Sequence, residues 1–393
     1  MPRAILVSAG EASGDLYAAR LVEELRRRDP SAKFFGCTGP HMRRAGVETI
    51  VDAASLAVVG LFEVVGHLPH IYQEYKKLQS VCRERSPDLA ILTDSPDFHL
   101  RLARGLKASG VPVAYLVAPQ VWAWRKGRLP LMRRTIDLLL CIFPFEEAFF
   151  RQHDVPAVYI GHPLTTLVRP IHSKGDFFRK HRLPATRPLV TILPGSRKGE
   201  AARHLPVLLE TVERLYAGRA ASFLLPASST TGRAFFEERI GAAPIRVIEG
   251  ETWDAIAHAD VAMAASGTVT VEAALLGTPM VTFYKVTPVS WLLGRMLVRV
   301  PFYSMVNLIA GRAVVPELMQ GAMQSHRLAA ETRRLLDDAE ARDRMRKDLG
   351  EVAGKLMAGV DPIRRAADEI ERLGVTSPVS GVVQVEGVAH DGC

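Results

Sequence analysis

The chain has 393 residues, of which 48% are hydrophobic and 23% are charged. This length and composition predict a globular protein of two domains and exclude a disordered or fibrous chain. Lysine and arginine outnumber aspartate and glutamate by 50 to 42, a formal net charge of +8. The excess of positive charge favours an anionic partner: a nucleic acid, an anionic lipid surface or a phosphorylated substrate.

No segment has the pattern of a secretory signal or a membrane-spanning helix. The apolar stretch at residues 4–7 is shorter than the about 7–15 apolar residues of a signal peptide. The tract 261–284 is interrupted by Glu272 and diluted by glycine, serine, threonine and proline. The four cysteines form no C-x-x-C pair and have no clustered histidines, so we expect a reduced cytoplasm and no structural metal.

Short apolar runs alternate with longer amphipathic segments, the pattern expected of βαβ units and parallel sheets. The strands predicted in the first half are 4–8, 33–36, 89–93 and 112–116. The helices predicted between them are 15–28, 70–85 and 100–109. The second half repeats the pattern, with strands at 189–193, 222–226, 246–249, 261–264 and 280–284 and helices at 200–217, 231–240, 252–258 and 270–276.

We therefore predict an α/β protein with two doubly wound halves, joined near residues 161–172 and with a binding cleft between them. Asp361, just before a proline, is the predicted N-cap of a late helix. The predicted order along the chain is an N-terminal domain, a C-terminal domain, a helix that packs back across both and a loose tail, at residues 1–165, 166–350, 351–373 and 374–393.

The first candidate motif is the glycine-rich turn Ser-Ala-Gly-Glu-Ala-Ser-Gly-Asp at residues 8–15. Glycines let a backbone approach a ligand closely, and the N-terminus of the following helix attracts anions. The motif matches neither the dinucleotide nor the P-loop pattern, so no nucleotide site follows from it. A plain tight turn capped by Ser13 or Asp15 is an equal alternative.

The second motif, Thr-Asp-Ser-Pro-Asp-Phe at residues 93–98, follows an apolar strand. Ligands bind at the carboxyl edge of open α/β sheets, so Asp94 and Asp97 are well placed for general-base chemistry. The alternative is that the two carboxylates cap a turn and a helix, and position alone slightly favours it.

The third motif places Trp122 and Trp124 beside Arg125, after another predicted strand. Large aromatic rings next to an arginine are suited to cover a sugar or to lie at a membrane interface. Filling the space between a helix and a sheet is the alternative, although the Trp-x-Trp-Arg pattern favours a functional role.

Two motifs follow strands of the second half. Residues 193–197 end in a Gly-Ser turn and Arg197, whose guanidinium suits phosphate or carboxylate, unless it is only a solvated surface arginine. Residues 265–272 pass from strand to helix through Ser-Gly-Thr, where backbone donors suit a diphosphate, and Glu272 is placed to bind ribose hydroxyls. A capping box competes, and it explains Thr268 better than Glu272.

Taken in order, these motifs resemble those of the lipid-A-disaccharide synthase family, glycosyltransferases of the Gram-negative envelope. The resemblance spans about residues 4–320 and rests on residues 10–15, 94–98, 121–125, 193–197, 266–268 with Glu272, and 307–312. It implies a GT-B architecture, in which two Rossmann-like domains face each other across a cleft. It also implies that UDP-2,3-diacylglucosamine donates its sugar to 2,3-diacylglucosamine 1-phosphate with inversion, giving a β-1,6-linked disaccharide 1-phosphate and UDP.

The resemblance further implies roles for single residues. Asp97 is the expected base, Asp94 and Asp88 are supporting or rival carboxylates, and Glu11 is expected to orient the acceptor. The residues expected to bind the donor through its diphosphate, ribose or sugar are Ser196, Arg197, Ser266, Gly267, Thr268, Glu272 and Asn307. No cofactor and no metal are expected, because GT-B enzymes usually use helix dipoles and basic side chains instead.

Lipid substrates require contact with a bilayer without crossing it. The apolar stretches 58–71 and 289–302 are expected to contact acyl chains or the membrane, with ordinary core packing as the alternative. The residues chosen for this acceptor and membrane side are Leu61, Phe62, Leu68, Trp122 and Trp124. We expect a cytoplasmic enzyme, peripheral on the anionic inner membrane, with no nucleic-acid partner and with a homodimer left open.

Two other interpretations stay open. Another UDP-sugar enzyme of the same fold, such as UDP-N-acetylglucosamine 2-epimerase or a peptidoglycan glycosyltransferase, would share the donor half, but a soluble epimerase needs no acyl-binding surface. A two-lobed protein that only binds nucleotide or lipid would need the cleft but not the carboxylates. His162, at the junction of the halves, is assigned no role beyond a hinge.

Overall fold

The computed structural model of the chain describes residues 3–56, 61–218, 221–228, 230–298 and 300–376. The first half forms a sheet of seven strands: β1 (Ala4–Ala9), β2 (Lys33–Thr38), β3 (Glu48–Asp52), β4 (Leu89–Thr93), β5 (Val113–Leu116), β6 (Leu138–Cys141) and β7 (Ala157–Tyr159). The helices between them are α1 (Ala12–Arg28), α2 (Pro40–Arg44), α3 (Leu61–Arg85), α4 (Pro96–Ala108), α5 (Leu129–Thr135) and α6 (Glu146–Arg151).

Two short helices, α7 (Leu164–Leu167) and α8 (Lys174–Lys180), lead to a second sheet. Its strands are β8 (Leu189–Leu193), β9 (Ser222–Ala227), β10 (Ile245–Glu249), β11 (Val261–Ala265), β12 (Met280–Tyr284) and β13 (Glu317–Met319). The remaining helices are α9 (Lys198–Gly218), α10 (Arg233–Ile240), α11 (Thr252–Ala257), α12 (Thr268–Leu275), α13 (Pro288–Leu297), α14 (Met305–Ala310), α15 (Ser325–Asp337), α16 (Ala339–Leu356) and α17 (Pro362–Thr376).

Both sheets are parallel and share one topology. The strand orders are β3-β2-β1-β4-β5-β6-β7 and β10-β9-β8-β11-β12-β13. In each sheet the order reverses at one point, between β1 and β4 in the first and between β8 and β11 in the second. Ligands of doubly wound sheets bind at the carboxyl ends of the strands at this reversal.

The strands predicted from the sequence are all present, with ends that differ by at most two residues. The prediction missed β3, β6, β7 and β13. β7 and β13 have only three residues each, too few for a pattern. The four residues of β6 are all buried, as are those of the predicted β5, so the apolar run that marks this strand was present in the sequence.

Helix α1 forms because apolar residues recur at helical spacing and face the sheet, as its buried residues Leu21, Val22 and Leu25 illustrate. Asp15, in its first turn, does not cap α1, which corrects one of the predicted alternatives. Its buried carboxylate accepts the backbone N–H groups of Gly39, His41 and Met42 at 2.8–3.1 Å, and so caps α2. Three N–H donors thus satisfy a carboxylate that burial has removed from water.

The chain crosses between the two sheets twice, once after β7 and again after α16. The crossings are bonded together, because the backbone N–H of His162 donates to the carbonyl of Leu356 at 3.0 Å. The hydroxyl of Tyr159 also donates to the carbonyl of Lys355 at 2.8 Å. Gly161 has a left-handed backbone conformation at φ +87°, which favours glycine. A Cβ added at this position would also lie only 3.0 Å from the Cβ of Ala358.

After the second crossing, α17 packs against α1 of the first sheet. The Arg28 guanidinium binds the carboxylates of Asp368 at 2.7 Å and Glu371 at 3.0 Å. Asp361 accepts the N–H groups of Ile363 and Arg364, so it caps α17 as predicted. The exact domain boundaries stay a prediction, and residues 377–393 of the predicted tail lie outside the described residues.

Arg28→Ala is expected to loosen α17 without unfolding either sheet, because Arg28 is the side chain that joins α1 to both carboxylates. Amide hydrogen exchange in residues 362–374 should become faster in this variant. The matched control is Arg27→Ala, since Arg27 pairs with Glu24 on its own helix and is largely exposed. Equal exchange rates in the two variants would show that Arg28 does not hold α17 against α1.

Candidate functional site

The points of strand reversal in the two sheets meet across the cleft. Arg197, after β8, forms an ion pair with Glu11, after β1, with 3.3 Å between Nη2 and Oε1. Both side chains are about half exposed, so the pair is accessible to solvent. The structure therefore brings together the glycine-rich loop of the first half and the Gly-Ser-Arg turn of the second.

Asp94, after β4, holds the glycine-rich loop in place. Its carboxylate oxygens accept the backbone N–H groups of Gly10 at 2.8 Å and Glu11 at 3.0 Å. Burial and the nearby charge of Glu11 raise the pKa of Asp94 to about 8, although the two N–H bonds oppose the shift. Both oxygens of the Asp94 carboxyl group are therefore engaged by the loop.

The glycines of the loop are needed because Asp94 and Ser95 approach so closely. A Cβ added to Gly14 would lie 1.8 Å from a carboxylate oxygen of Asp94, and one added to Gly10 would lie 2.2 Å from the Ser95 hydroxyl. Asp94 and Ser95 both have left-handed backbone conformations, with φ of 52° and 37°. Such conformations cost about 1–3 kcal/mol each and persist only where their surroundings fix them.

Two buried side chains fix this strained turn. The carbonyl of Asp94 accepts hydrogen bonds from the Tyr115 hydroxyl and from Nδ1 of His99. Since a carbonyl only accepts, His99 carries its proton on Nδ1, and Nε2 accepts the Ser8 hydroxyl at 2.8 Å. Burial lowers the pKa of His99 to about 4, so it stays neutral at physiological pH. Sequence reasoning missed both residues, because their partners are distant or on the backbone.

Asp97 lies in the first turn of α4, and 74% of its side chain is exposed. It pairs with Arg125 at 3.0 Å and also with Arg128. Asp88 does not belong here, which corrects its place among the catalytic candidates. Its carboxylate accepts the N–H of Ala4 at 2.7 Å, at the amino ends of β1 and β4, opposite the edge that carries Asp97.

The two tryptophans have different surroundings. The indole of Trp122 donates to the buried carboxyl group of Glu146 at 3.0 Å and packs edge-on against Phe145, so the partly buried ring packs against the core. The packing alternative accounts for these contacts. Trp124 instead lies beside the guanidinium of Arg125, 4.4 Å from the ring centroid. Glu146 was not singled out, yet burial raises its pKa to about 8.

The corresponding edge of the second sheet carries the predicted anion-binding groups. Ser196, Arg197, Gly267 and Thr268 are exposed there. The hydroxyl of Ser266 donates to the Tyr303 carbonyl at 3.1 Å, which ties the Ser-Gly-Thr turn to the loop before α14.

A buried histidine that the sequence analysis missed joins two strand ends at this edge. Nδ1 of His204 donates to the Pro194 carbonyl at 2.7 Å, and Nε2 accepts the N–H of Lys285 at 3.0 Å. Burial lowers its pKa, which favours this neutral state. His204 thus fixes the backbone that leads to Arg197.

Glu272 lies on α12, one turn after the Ser-Gly-Thr turn. Burial raises its pKa to about 7, while a hydrogen bond from Trp253 opposes the shift. Tyr17 of α1 is close enough for the Glu272 charge to raise the pKa of its phenol, in addition to the larger effect of burial. Glu272 therefore lies where the two halves of the chain approach each other.

Asn307 cannot contact a donor with its side chain, which corrects that assignment. Its Oδ1 accepts the N–H groups of Val314 at 2.7 Å and Val315 at 2.9 Å. Its Nδ2 donates to the Val315 carbonyl at 2.9 Å and to Glu317 at 2.8 Å. All four hydrogen-bonding positions of the buried amide are occupied, so Asn307 holds the turn before β13.

Two remaining expectations concern the junction and the apolar segment. His162 is buried against Tyr17 and Phe143, and burial lowers its pKa to about 3. It is a neutral core residue at the first crossing. The side chains of Leu61, Phe62 and Leu68 lie outside the described residues, although their backbone is part of α3. Among described residues, no helix is both long enough and apolar enough to span a bilayer.

Asn307→Ala is expected to lower the free energy of unfolding by about 2–4 kcal/mol, because it leaves buried donors and an acceptor unpaired. Urea denaturation measures the change. Asn307→Asp should also destabilise, since a carboxylate cannot donate to the Val315 carbonyl. If Asn307→Ala keeps the full stability of the wild type but loses affinity for a UDP-sugar, Asn307 contacts the donor after all.

The free energy of unfolding is expected to fall as the pH rises from about 5 to about 8. Asp94 and Glu146 keep their protons over most of this range when folded, with pKa values of about 8, but are ionised when unfolded. The unfolded chain then binds fewer protons, so stability decreases with pH. Glu146→Gln should flatten the decline, measured by denaturant unfolding at several pH values, whereas the exposed Glu238→Gln should not. Stability that rises over this range would refute the expectation.

Known proteins resemble this chain over nearly its whole length. A model of the lipid-A-disaccharide synthetase family matches residues 5–361. The lipid-A-disaccharide synthase of Solibacter usitatus (strain Ellin6076) is 65% identical over 373 residues, which are 95% of this chain and 98% of that protein. The lipid-A-disaccharide synthase of Koribacter versatilis (strain Ellin345) is 45% identical over 359 residues, or 90% and 94%.

Solved structures show the same fold at low identity. UDP-GlcNAc 2-epimerase from Neisseria meningitidis bound to UDP-GlcNAc has a TM-score of 0.64 at 12% identity, covering 94% of this chain and 98% of that one. CalG4, the calicheamicin glycosyltransferase, has a TM-score of 0.59 at 16% identity, covering 96% and 99%. These likenesses confirm the predicted GT-B architecture. With the family match, the high identity and the motifs at both points of strand reversal, the chain belongs to the lipid-A-disaccharide synthase family.

Proposed function

We propose that the chain transfers 2,3-diacylglucosamine from its UDP derivative to 2,3-diacylglucosamine 1-phosphate, forming the β-1,6-linked disaccharide 1-phosphate and UDP. The observation that carries this proposal is the 3.3 Å contact between Glu11 and Arg197. It joins the loop held by Asp94 to the turn that suits a diphosphate. A carboxylate edge and an anion-binding edge thus border one crevice, as a displacement of UDP by a sugar hydroxyl requires.

In the proposed reaction, Asp97 accepts the proton of the acceptor 6-hydroxyl as that oxygen attacks the donor anomeric carbon. The bond from this carbon to the UDP oxygen breaks as the new bond forms on the opposite face, so the configuration inverts. Asp97 suits the role because its carboxylate is exposed at the edge of β4, whereas that of Asp94 is engaged by two N–H groups. Removing this proton from the hydroxyl makes it a stronger nucleophile.

The second half is proposed to stabilise the departing UDP. Arg197 offers a guanidinium to the diphosphate, and Ser196, Gly267 and Thr268 lie exposed at the same sheet edge. The N-terminus of α12 adds the positive end of a helix dipole. Glu272 is placed one turn further along, where we propose that its carboxyl group binds the ribose hydroxyls. Charge that develops on the leaving oxygen is thereby compensated.

We further propose that the enzyme is a cytoplasmic protein that contacts the inner membrane at its surface, as a monomer or a homodimer. The support is an exposed apolar cluster beside the donor turn. Leu292 of α13 is 65% exposed, and Trp291 packs against the exposed Tyr303, whose carbonyl binds Ser266. Such a cluster suits acyl chains, and the net charge of +8 attracts anionic lipids.

Incubation with both acylated substrates should yield the disaccharide 1-phosphate by mass spectrometry. Asp97→Asn is expected to lower kcat by about 10²- to 10⁴-fold, the usual contribution of a general base. The affinity for UDP, measured by calorimetry, should stay within about threefold, because Asp97 does not touch the nucleotide in the proposed arrangement.

The matched control for Asp97→Asn is Asp154→Asn, another exposed carboxylate paired with an arginine. It should leave kcat unchanged. Turnover of the Asp97 variant within tenfold of the wild type would remove Asp97 as the base. Release of UDP only from an unacylated donor would overturn the proposed substrate.

A further inference from the structure

Asp97 is one member of a cluster that contains more positive than negative charge. The Arg125 Nη1 lies 3.2 and 3.0 Å from the two carboxylate oxygens of Asp97, and Arg128 Nη2 binds one of the same oxygens. Two guanidiniums therefore share one carboxylate. In the part of the chain that the structure describes, neither guanidinium has a second carboxylate within ion-pair distance.

Trp124 packs against both guanidiniums. Its ring centroid lies 4.4 Å from the guanidinium carbon of Arg125 and 5.8 Å from that of Arg128. Contact with an aromatic face restricts a flexible arginine at little cost in hydration. Arg128 is also largely buried, with 15% of its side chain exposed, so its position is set before any ligand arrives.

The arrangement is more elaborate than an ordinary surface ion pair requires. Arg125 has a left-handed backbone conformation at φ +57°, which non-glycine residues seldom adopt. Each guanidinium has five N–H donors, of which only one nitrogen per arginine reaches Asp97. The remaining N–H donors can bind a second anion. A phosphate monoester, with up to two negative charges and three terminal oxygens, suits two guanidinium groups.

We infer that Arg125 and Arg128, supported by Trp124, bind the 1-phosphate of the acceptor sugar. This inference rests on the proposed function, since it assigns part of the acceptor site. The acceptor phosphate competes with Asp97 for the same guanidiniums. As the phosphate binds, the Asp97 oxygens lose their cationic partners and become available to the acceptor 6-hydroxyl. Binding of the acceptor thereby frees the base that acts on it. When only the donor is bound, the Asp97 carboxylate stays paired with the two arginines.

The test combines arginine variants with two acceptors. The kcat/KM of wild type, Arg125→Ala and Arg128→Ala is measured with 2,3-diacylglucosamine 1-phosphate and with the same sugar lacking the phosphate. The wild type should prefer the phosphorylated acceptor. Each variant should lose about 10- to 100-fold with it, the effect of one hydrogen-bonded charge, and less than about threefold with the other.

Arg133→Ala is the matched control. Arg133 is an exposed arginine on α5, the helix that begins just after Arg128, and it pairs with Asp154. It should keep the full preference for phosphate. Equal losses with both acceptors would overturn the inference, since a purely structural role predicts them. If Arg128→Ala does not fold, Arg125→Ala decides, because Arg125 is 45% exposed.

Two further outcomes are distinguished. If the wild type forms no disaccharide from either acceptor, the proposed function fails, and the inference fails with it. An anionic membrane lipid offers phosphate too, so flotation with phosphatidylglycerol vesicles is compared for wild type and Arg125→Ala. Unchanged vesicle binding with lost acceptor preference supports the acceptor phosphate. Lost vesicle binding with unchanged preference would assign the arginines to the membrane instead.

Discussion

The arrangement of the cleft depends on the contact between the Asp94 carboxylate and the glycine-rich loop. This contact joins the carboxyl ends of β1 and β4, and through Glu11 it reaches Arg197 on the other sheet. It requires a buried carboxylate, two consecutive left-handed residues and glycines that leave room for both. Each is unfavourable alone. Together with the bonds from His99 and Tyr115, they fix one geometry at the edge that carries Asp97.

In the second half, a neutral histidine and an amide hold the corresponding edge. His204 joins the ends of β8 and β12, and Asn307 fills all four positions of its amide with partners near β13. The carboxylate of Glu317 completes this network, because it accepts the Asn307 amide and the backbone N–H groups of Tyr303 and Ser304. Exposed residues follow β8 and β11, on a backbone that these bonds hold in place.

The sequence was sufficient for the fold and for the position of the site, because both depend on local patterns. Continuous apolar strands followed by glycine or aspartate predicted the two doubly wound sheets and four of the loops at their edges. Single-residue roles were less predictable. Asp94 and Gly10 are 84 positions apart, so no local pattern indicated that the glycines accommodate a carboxylate. Asn307 fitted a ligand motif, but its four bonds are to residues of the next turn.

The bonded pair of chain crossings has a consequence for motion between the halves. With the His162 N–H on the Leu356 carbonyl and Gly161 packed on Ala358, both covalent connections pass through one small region. Two connections at one place let the halves rotate about that place, whereas they prevent the halves from sliding apart there. Opening of the cleft by such a rotation would separate Glu11 from Arg197, and closure would bring the same two edges together again.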